Sequence, residues 1–244
     1  MCNCPETGFE EDRTRIQKCK GCSGLIICDC VSKRFGEKFA VRNVSFSFEK
    51  SLAVLGYNGA GKSTLAKLMA GILKPSSGKI EVFGKNPSKC VEIRRKIGIV
   101  THNPMLYKDL TVEENLHFFS RLFGLEKWDW VLDELELREK SKKKVSELSR
   151  GYLQRVAIAR AIMAHPSFLI LDEAFSSLDV EGRRILENII KSFEGPIFLS
   201  THNLEEAKLC KNFLVLDKGE VVYFGESYND AIKFLRAREE GSES

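Results

Sequence analysis

The sequence Gly56-Tyr57-Asn58-Gly59-Ala60-Gly61-Lys62-Ser63-Thr64 decides the architecture of this chain. It fits the phosphate-binding loop pattern, in which Gly is followed by four residues and then by Gly-Lys-Ser/Thr. Glycines let the backbone turn sharply and bring N–H groups close to phosphates, and the helix that follows points its positive end at the same anion. Lys62 adds a full charge at the outer phosphates, and the Ser63 hydroxyl can bind Mg²⁺. The stretch therefore predicts a nucleotide site.

The flanks of this loop support the same interpretation. Leu52–Leu55 has the pattern of a short buried strand, and Leu65, Leu68 and Met69 are apolar at helical spacing. A Gly-rich turn before an ordinary helix would not require the complete motif between a strand and a helix. The motif alone does not separate ATP from GTP, or a kinase from a motor, so the rest of the chain has to decide.

Composition bounds the class of protein. The chain has 244 residues, of which 43% are hydrophobic, enough for one large α/β domain or two small ones. No apolar run approaches the roughly 18 residues that span a bilayer, and the first residues lack the charged-then-apolar pattern of a signal peptide. We therefore expect an intracellular protein that only a partner would hold at a membrane. The net charge of +4 is too weak to favour a nucleic-acid partner.

The cysteines cluster at the N-terminus, in a polar segment that we interpret as an appendage over residues 1–24. Six of the eight cysteines are Cys2, Cys4, Cys19, Cys22, Cys28 and Cys30. Cys19 and Cys22 have the spacing of a zinc site, which Cys2 and Cys4 would complete to four thiolates. Cys28 and Cys30 lie in a predicted first strand, where they fit as small core residues. A structural Zn²⁺ on the first four is one hypothesis, and unliganded thiols are the other.

The order of predicted elements indicates an α/β fold. Beyond Ser149, helices alternate with short buried strands, which is the pattern of a doubly wound, mostly parallel sheet. The predicted helices are 150–164, 180–193 and 203–210, and the predicted strands are 168–172, 197–200 and 213–217. Three earlier strands separated by turns predict a small antiparallel subdomain, and the stretch from about 103 to 150 predicts a helical insert.

Two carboxylates follow one of these strands. Phe168–Asp172 is an apolar run, and Glu173 comes directly after it. Asp172 is placed to hold Mg²⁺ through water, and Glu173 is placed to polarise an attacking water. An apolar strand followed by Asp-Glu is a weak signal by itself and depends on its neighbours.

Those neighbours carry a family resemblance. Upstream stands the segment from Glu147 to Ala161, here called the signature segment, which contains Leu148-Ser149-Arg150-Gly151-Tyr152. Downstream stand Ser176–Asp179 and Leu199–His202. In that order around one phosphate loop, these segments resemble the ATP-binding subunits of ATP-binding cassette (ABC) transporters. The resemblance covers about Leu25 to Phe234, so we expect an ABC-type P-loop domain over 25–236, followed by a polar tail over 237–244.

The resemblance implies an ATPase mechanism and its site residues. Two such subunits, as a homodimer or heterodimer, pair head to tail and sandwich two ATP molecules. Glu173 corresponds to the catalytic base and His202 to the residue that contacts the γ-phosphate. The expected ATP contacts are Phe35, which stacks on adenine, and Gly56, Asn58, Gly59, Gly61, Lys62, Ser63, Thr64, Ser149, Gly151 and Asp179. The expected Mg²⁺ ligands are Ser63, His102 and Asp172.

The resemblance also implies partners and a place in the cell. A separate transmembrane permease subunit would hold the protein at the inner, cytoplasmic face of the cell membrane. The segment from Leu106 to Gly124 looks more like exporter cassettes than sugar-importer cassettes, so export is favoured. The alternative is a soluble ABC ATPase that acts in iron–sulfur assembly or translation.

Three residues depart from the family pattern. Arg150 and Tyr152 replace a Gly and the Gln of the usual Leu-Ser-Gly-Gly-Gln, while Ser149 and Gly151 remain. His102 stands where the family usually has a Gln. Lys62, Asp172, Glu173 and His202 are all present, so we expect a site that hydrolyses ATP.

The substitution at His102 leads to a prediction about pH. An imidazole titrates near pH 6.5, within the range of mild acidification, whereas an amide does not titrate. We expect ATPase activity to fall more steeply on mild acidification in the native chain than in His102→Gln. Rate–pH profiles of the two proteins check this, and superimposable profiles would contradict it.

Overall fold

A computed structural model describes the backbone of residues 26–240 and the side chains of 26–237. The N-terminal appendage, with the zinc hypothesis on Cys2, Cys4, Cys19 and Cys22, lies outside the described residues. Residues 241–244, at the end of the polar tail, also lie outside the described residues.

The first part of the chain forms a small antiparallel sheet, as predicted. Its strands are β1 (Ile26–Phe35), β2 (Lys38–Phe48) and β4 (Ser77–Val82), in the order β2-β1-β4. β1 bulges near Cys30, whose φ is +48°, and this bulge re-aims the strand so that it continues to Phe35. β1 is therefore longer than the sequence pattern indicated.

A six-stranded sheet forms the centre of the domain. Its strands run in the order β5-β6-β7-β3-β8-β9, and all are parallel to their neighbours except β9. The strands are β3 (Ser51–Leu55), β5 (Ile97–Val100), β6 (Phe168–Asp172), β7 (Ile197–Ser200), β8 (Asn212–Asp217) and β9 (Glu220–Gly225). Because the carboxyl ends of parallel strands lie at one edge, the loops after β3, β5, β6 and β7 meet there.

The helices confirm the predicted alternation of helices and strands, but some of them differ in length from the prediction. Those over residues 26–240 are α1 (Lys62–Met69), α2 (Val91–Arg94), α3 (Val112–Phe123), α4 (Trp130–Glu134), α5 (Arg150–Ile162), α6 (Val180–Ser192), α7 (Leu204–Ala207) and α8 (Tyr228–Glu240). The predicted helix over 203–210 is wrong in extent, because the chain leaves the helix after one turn to begin β8 at Asn212. α2 was not predicted.

The helical insert is less continuous than its sequence suggested. α3 starts with a capping box, in which Thr111 and Glu114 exchange side-chain-to-backbone hydrogen bonds. It ends at Gly124, whose φ is +73°. Beyond it come only α4 and two single 3₁₀ turns, Arg138–Lys140 and Val145–Glu147. The insert therefore presents α3 as its one long helix among the described residues.

Two apolar cores cover the faces of the six-stranded sheet. Leu169 and Leu171 pack on one face with residues of α3, α5 and α6. Phe168 and Ile170 pack on the other face with α1 and the antiparallel sheet. This alternation follows from the two-residue period of a strand. A fully buried Phe such as Phe168 contributes about 1.5–3 kcal/mol relative to exposure.

None of the helices within residues 26–240 is both long enough and apolar enough to cross a bilayer.

Gly98 in β5 provides a test of this packing. A Cβ atom at this position would lie 2.5 Å from the Ala161 carbonyl oxygen and 2.9 Å from Cγ of Pro166. We expect Gly98→Ala to lower the free energy of unfolding by about 1–3 kcal/mol, as overpacking does. Chemical denaturation measures this change. Gly36→Asn is the control, because nothing lies within 4 Å of its added Cβ and Asn tolerates positive φ. A Gly98→Ala protein as stable as the native one would contradict the packing at β5.

Candidate active site

The phosphate-binding loop has room only for glycine at two of its positions. A Cβ on Gly56 would lie 2.4 Å from the Leu216 carbonyl oxygen, and a Cβ on Gly61 would lie 2.4 Å from the Ala40 carbonyl oxygen. Both residues also have positive φ, +152° and +107°. The motif glycines are therefore required by close backbone packing as well as by backbone conformation.

Neighbouring turns hold the loop in place. The Gly219 amide, in the β8–β9 turn, donates to the Ala60 carbonyl over 3.0 Å, and the Arg42 amide donates to the Gly219 carbonyl over 2.8 Å. By contrast, within the described part of the chain the amides of Asn58 and Gly59 donate no hydrogen bond. Both residues are exposed. Such exposed donors fit the oxygens of a polyphosphate.

Lys62 is buried although it is charged. Only 4% of its side chain is exposed, and its Nζ donates to the carbonyl oxygens of Gly56 (2.6 Å) and Tyr57 (3.2 Å). Its Nζ lies 3.8 Å from Oε1 of Glu173. Burial lowers the pKa of Lys62, and the charges of Glu173 and Asp172 act in the opposite direction. The ammonium is thus positioned inside the loop by contacts within the chain.

Two hydroxyls converge on one oxygen of Asp172. The Oδ1 atom accepts from Ser63 Oγ over 3.0 Å and from Ser200 Oγ over 2.5 Å. The carboxylate is 2% exposed, so its orientation is set by these two donors. Ser63 lies in the first turn of α1, and Ser200 ends β7, so the start of α1 meets the carboxyl ends of β6 and β7 at this atom.

Glu173 has a backbone conformation that is rare for a residue with a side chain. Its φ is +53°, and its amide donates to both the carbonyl oxygen (3.1 Å) and the hydroxyl (3.2 Å) of Ser200. Gln154 of α5 donates to the Ala174 carbonyl over 3.0 Å, which fixes the next residue. Non-glycine residues with positive φ concentrate at functional sites, where the surroundings compensate for the strain.

The histidines and Phe35 lie at the rim. Phe35 ends β1 with 51% of its surface exposed, and Nζ of Lys33 lies 5.1 Å from its ring centre. His102 and His202 are exposed, beyond β5 and β7. The His202 loop is anchored by its neighbour Thr201, whose hydroxyl donates to the buried Glu206 over 2.5 Å.

Three further predicted residues form a second group at the starts of α5 and α6. Ser149 is the N-cap of α5 and accepts from the Tyr152 amide, while Asp179 is the N-cap of α6 and accepts from the Gly182 amide. A Cβ added to Gly151 would lie 3.3 Å from the Ser177 carbonyl oxygen. The signature segment and the Asp179 loop are therefore packed against each other.

The site residues fit Mg²⁺ and ATP. A serine hydroxyl, a buried carboxylate and a lysine in a Gly-rich loop are the donor set that P-loop enzymes use for a phosphate-bound Mg²⁺. Ser63 and Asp172 would hold the ion, and Lys62 with the loop amides would hold the phosphates. Thr64 is half-buried in the first turn of α1, next to Ser63.

Three contributors to this site were missed from the sequence. Ser200 was read only as part of a strand, yet its hydroxyl and carbonyl serve both Asp172 and Glu173. Gln154 and Arg155 were read only as part of the signature segment. A polar residue at the carboxyl end of an apolar strand, next to a strand that ends in Asp, would have been the signal for Ser200.

The fold and this geometry define a P-loop nucleotide-binding domain, and comparison with known proteins gives the family. The family model for the ABC transporter matches residues 41–176. The ABC transporter ATP-binding protein NatA of Bacillus subtilis is 34% identical over 219 residues, covering 82% of this chain and 89% of that protein.

Two further relatives are named for roles in transport. The Nod factor export ATP-binding protein I of Burkholderia thailandensis is 36% identical, covering 80% of this chain and 68% of that protein. The bacitracin transport ATP-binding protein BcrA of Bacillus licheniformis is 37% identical, covering 82% of this chain and 69% of that protein.

Solved structures agree with this assignment. An ATP-binding subunit of an ABC transporter superposes with a TM-score of 0.78 at 29% identity, covering 86% of this chain and 93% of that one. A dimeric bacterial ABC transporter cassette superposes with a TM-score of 0.73 at 26% identity, covering 82% and 98%. The chain belongs to the ATP-binding proteins of ABC transporters and is an ATPase of that family.

Ser200 allows a test of the site geometry. Ser200→Ala removes one of two donors to Asp172 and one of two acceptors for the Glu173 amide. We expect the free energy of unfolding to fall by about 1–3 kcal/mol. The ATPase kcat should fall more than ATP affinity, because the loop amides and Lys62 are unchanged. Steady-state kinetics and fluorescent-ATP binding measure the two effects.

The matched control is Ser192→Ala, which removes a hydroxyl bonded to the Ile189 carbonyl at the end of α6. If Ser200→Ala and Ser192→Ala have the same kcat as the native chain, the role assigned to Ser200 is wrong.

Proposed function

We propose that this chain is the ATP-hydrolysing subunit of an ABC exporter that works as a dimer around two ATP molecules beside a separate transmembrane permease. The observation that carries the proposal is the constellation of buried Lys62 and Asp172 with the partly exposed Glu173, in a chain of this family. It is combined with an exposed aromatic face formed by Tyr107 and by Phe118 of α3. The constellation would hydrolyse ATP, and the aromatic face would bind a membrane partner.

The residues of the constellation have distinct tasks in this proposal. Mg²⁺, when bound, neutralises phosphate charge and orients the terminal phosphate. Lys62 holds the phosphates in a rigid position because its Nζ is already fixed by two backbone carbonyls. Asp172 keeps one oxygen on the two serines and has its Oδ2 atom left for the ion's water. Glu173 accepts the proton of the attacking water, and His202 orients that water from the rim.

Dimer formation follows from the second group of residues. Ser149 and Gly151 at the start of α5, together with the Asp179 loop, would face the phosphates of a partner subunit. Val180, directly after Asp179, is 86% exposed, which suits an interface residue better than a core residue. A relative at 26% identity is described as a dimeric cassette, which supports the same arrangement. Phe35 would stack on adenine with its exposed ring.

The exposed aromatic face consists of Tyr107 and Phe118, which are 51% and 41% exposed. The rings of Tyr107 and Phe118 meet edge to face at 5.0 Å. The face is held rigidly, because the fully buried Asn115 accepts from the Tyr107 amide and donates to its carbonyl. Contiguous exposed apolar residues of this kind mark interaction sites.

Export is favoured over import for two reasons. The sequence of the insert resembles exporter cassettes, and one curated relative is described as an export protein. The permease would select the cargo and hold this chain at the cytoplasmic face of the membrane.

An affinity pull-down from detergent-solubilised membranes of the source cell tests the proposal, with the soluble fraction run in parallel. We expect one polytopic membrane protein to co-purify with the native chain. Phe118→Asp should abolish its recovery, because a charge would enter an apolar interface. Phe234→Asp is the matched control, since Phe234 is a 44% exposed ring on α8, away from the face.

Recovery of the native chain only from the soluble fraction, alone or with cytosolic proteins, would overturn the transporter assignment. That result would favour the alternative, a soluble ABC ATPase in iron–sulfur assembly or translation.

A further inference from the structure

One buried cation joins three segments of this protein. Arg155 in α5 has a side chain that is 3% exposed. Its Nη1 donates to Oε2 of Glu136 over 2.9 Å, and its Nη2 donates to Oδ1 of Asp179 over 2.8 Å. Glu136 belongs to the helical insert, and Asp179 belongs to the loop before α6. The planar guanidinium of Arg155 therefore connects α5, the helical insert and the Asp179 loop.

The surroundings of Arg155 are shaped for this arrangement. Gly182 stands in the first turn of α6, and a Cβ there would lie 2.9 Å from Oδ1 of Asp179 and 3.1 Å from Nε of Arg155. A glycine within a helix costs about 0.5–1 kcal/mol relative to alanine, so its presence here is explained by the space that the ion pair needs. The Tyr152 ring covers the guanidinium at 5.2 Å, at a position where the family usually has Gln.

The position of Asp179 depends on this contact. Its Oδ1 atom accepts from both Arg155 and the Gly182 amide, each over 2.8 Å. The hydrogen bond from Arg155 is the main cause that holds the pKa of Asp179 below its ordinary value, and the Gly182 amide adds to it. The carboxylate is therefore an anion fixed in place, although its side chain is 57% exposed.

The position of Glu136 depends on the insert. Its φ is +53°, and it lies between Leu135 and Leu137, which are 1% and 0% exposed. The Leu137 amide donates to the Leu132 carbonyl over 2.7 Å. Because its neighbours are embedded in the core of the insert, Glu136 moves only when the insert moves. The same insert carries the aromatic face proposed for the membrane partner.

We propose that Arg155 is a positioning residue that links the helical insert, through Glu136, to the Asp179 loop and so sets how readily two subunits close on ATP. The inference rests on the proposed function, because it assumes an ATP-dependent dimer. Glu136 immobilises the guanidinium, and the guanidinium immobilises Asp179. A loop that is already ordered pays less entropy when it enters an interface. Loss of either contact therefore weakens the dimer.

The experiment measures ATP-dependent dimerisation in a Glu173→Gln background, which slows hydrolysis. Analytical ultracentrifugation gives the dimer dissociation constant, fluorescent ATP gives binding to the monomer, and thermal melting confirms folding. In this background we compare Glu136→Gln, Arg155→Lys and both together. The matched control is Glu134→Gln, which removes an equal charge two residues away, from an exposed side chain.

We expect Glu136→Gln to weaken the dimer by about two- to fivefold, the scale of a half-exposed ion pair. Arg155→Lys should weaken it by about tenfold, because an ammonium cannot span two carboxylates as the guanidinium fork does. Glu134→Gln should leave it unchanged, and ATP binding to the monomer should be equal in all of them. In the Arg155→Lys background, Glu136→Gln should have little further effect, because the link is already broken.

Two results would overturn the inference, and they are distinguishable. If the Glu173→Gln parent forms no dimer with ATP, the proposed function fails and the inference fails with it. If the parent dimerises but Glu136→Gln matches Glu134→Gln, or the two substitutions add independently, the proposed function stands and the link through Arg155 is wrong.

Discussion

The hydrogen bonds that Ser63 and Ser200 donate to one oxygen of Asp172 are the constraint on which the site depends. They join the first turn of α1 to the carboxyl ends of β6 and β7, and Val54 of β3 and Asp172 both pair in register with Ser200. A shift of one residue in this register would turn the side chains to the opposite face of the sheet. The geometry of the phosphate loop, of Asp172 and of Glu173 is thus a consequence of strand pairing in the core.

Burial of Lys62 is the second constraint, and it is tolerated because the ammonium is paired. An isolated buried charge would be costly, but two carbonyl oxygens accept from Nζ, and Glu173 lies at 3.8 Å. The position of the ammonium is therefore set by contacts within the chain, and fixed charges of this kind need little reorganisation during the chemistry. The positive φ of Glu173 belongs to the same organisation, since Ser200 supplies acceptors for its amide.

Beyond the chemistry, the molecule has two surfaces with different character. The starts of α5 and α6 carry Ser149, Gly151 and Asp179 with exposed polar groups, while α3 carries aromatic side chains. Arg155 is a buried side chain that contacts both the insert and the Asp179 loop. The guanidinium contacts one carboxylate in the insert and one in the Asp179 loop, so a movement of either segment changes one of its two contacts. These two contacts are the physical basis for coupling the two surfaces.

The sequence by itself determined the ABC family, the phosphate loop, the strand that carries Asp172, the starts of α5 at Arg150 and of α6 at Val180, and the α/β alternation. These features depend on residues close together in the chain, where spacing and capping chemistry decide the conformation. The length of α7, the short helices of the insert and the extension of β1 were decided by tertiary contacts and a bulge.

Contacts between distant residues were also decided only by the tertiary structure. Ser200 and Asp172 are 28 residues apart, and Arg155 lies 19 residues from Glu136 and 24 from Asp179. No local pattern marks such partners, because they meet only after the strands have found their register and α5 has packed on the sheet.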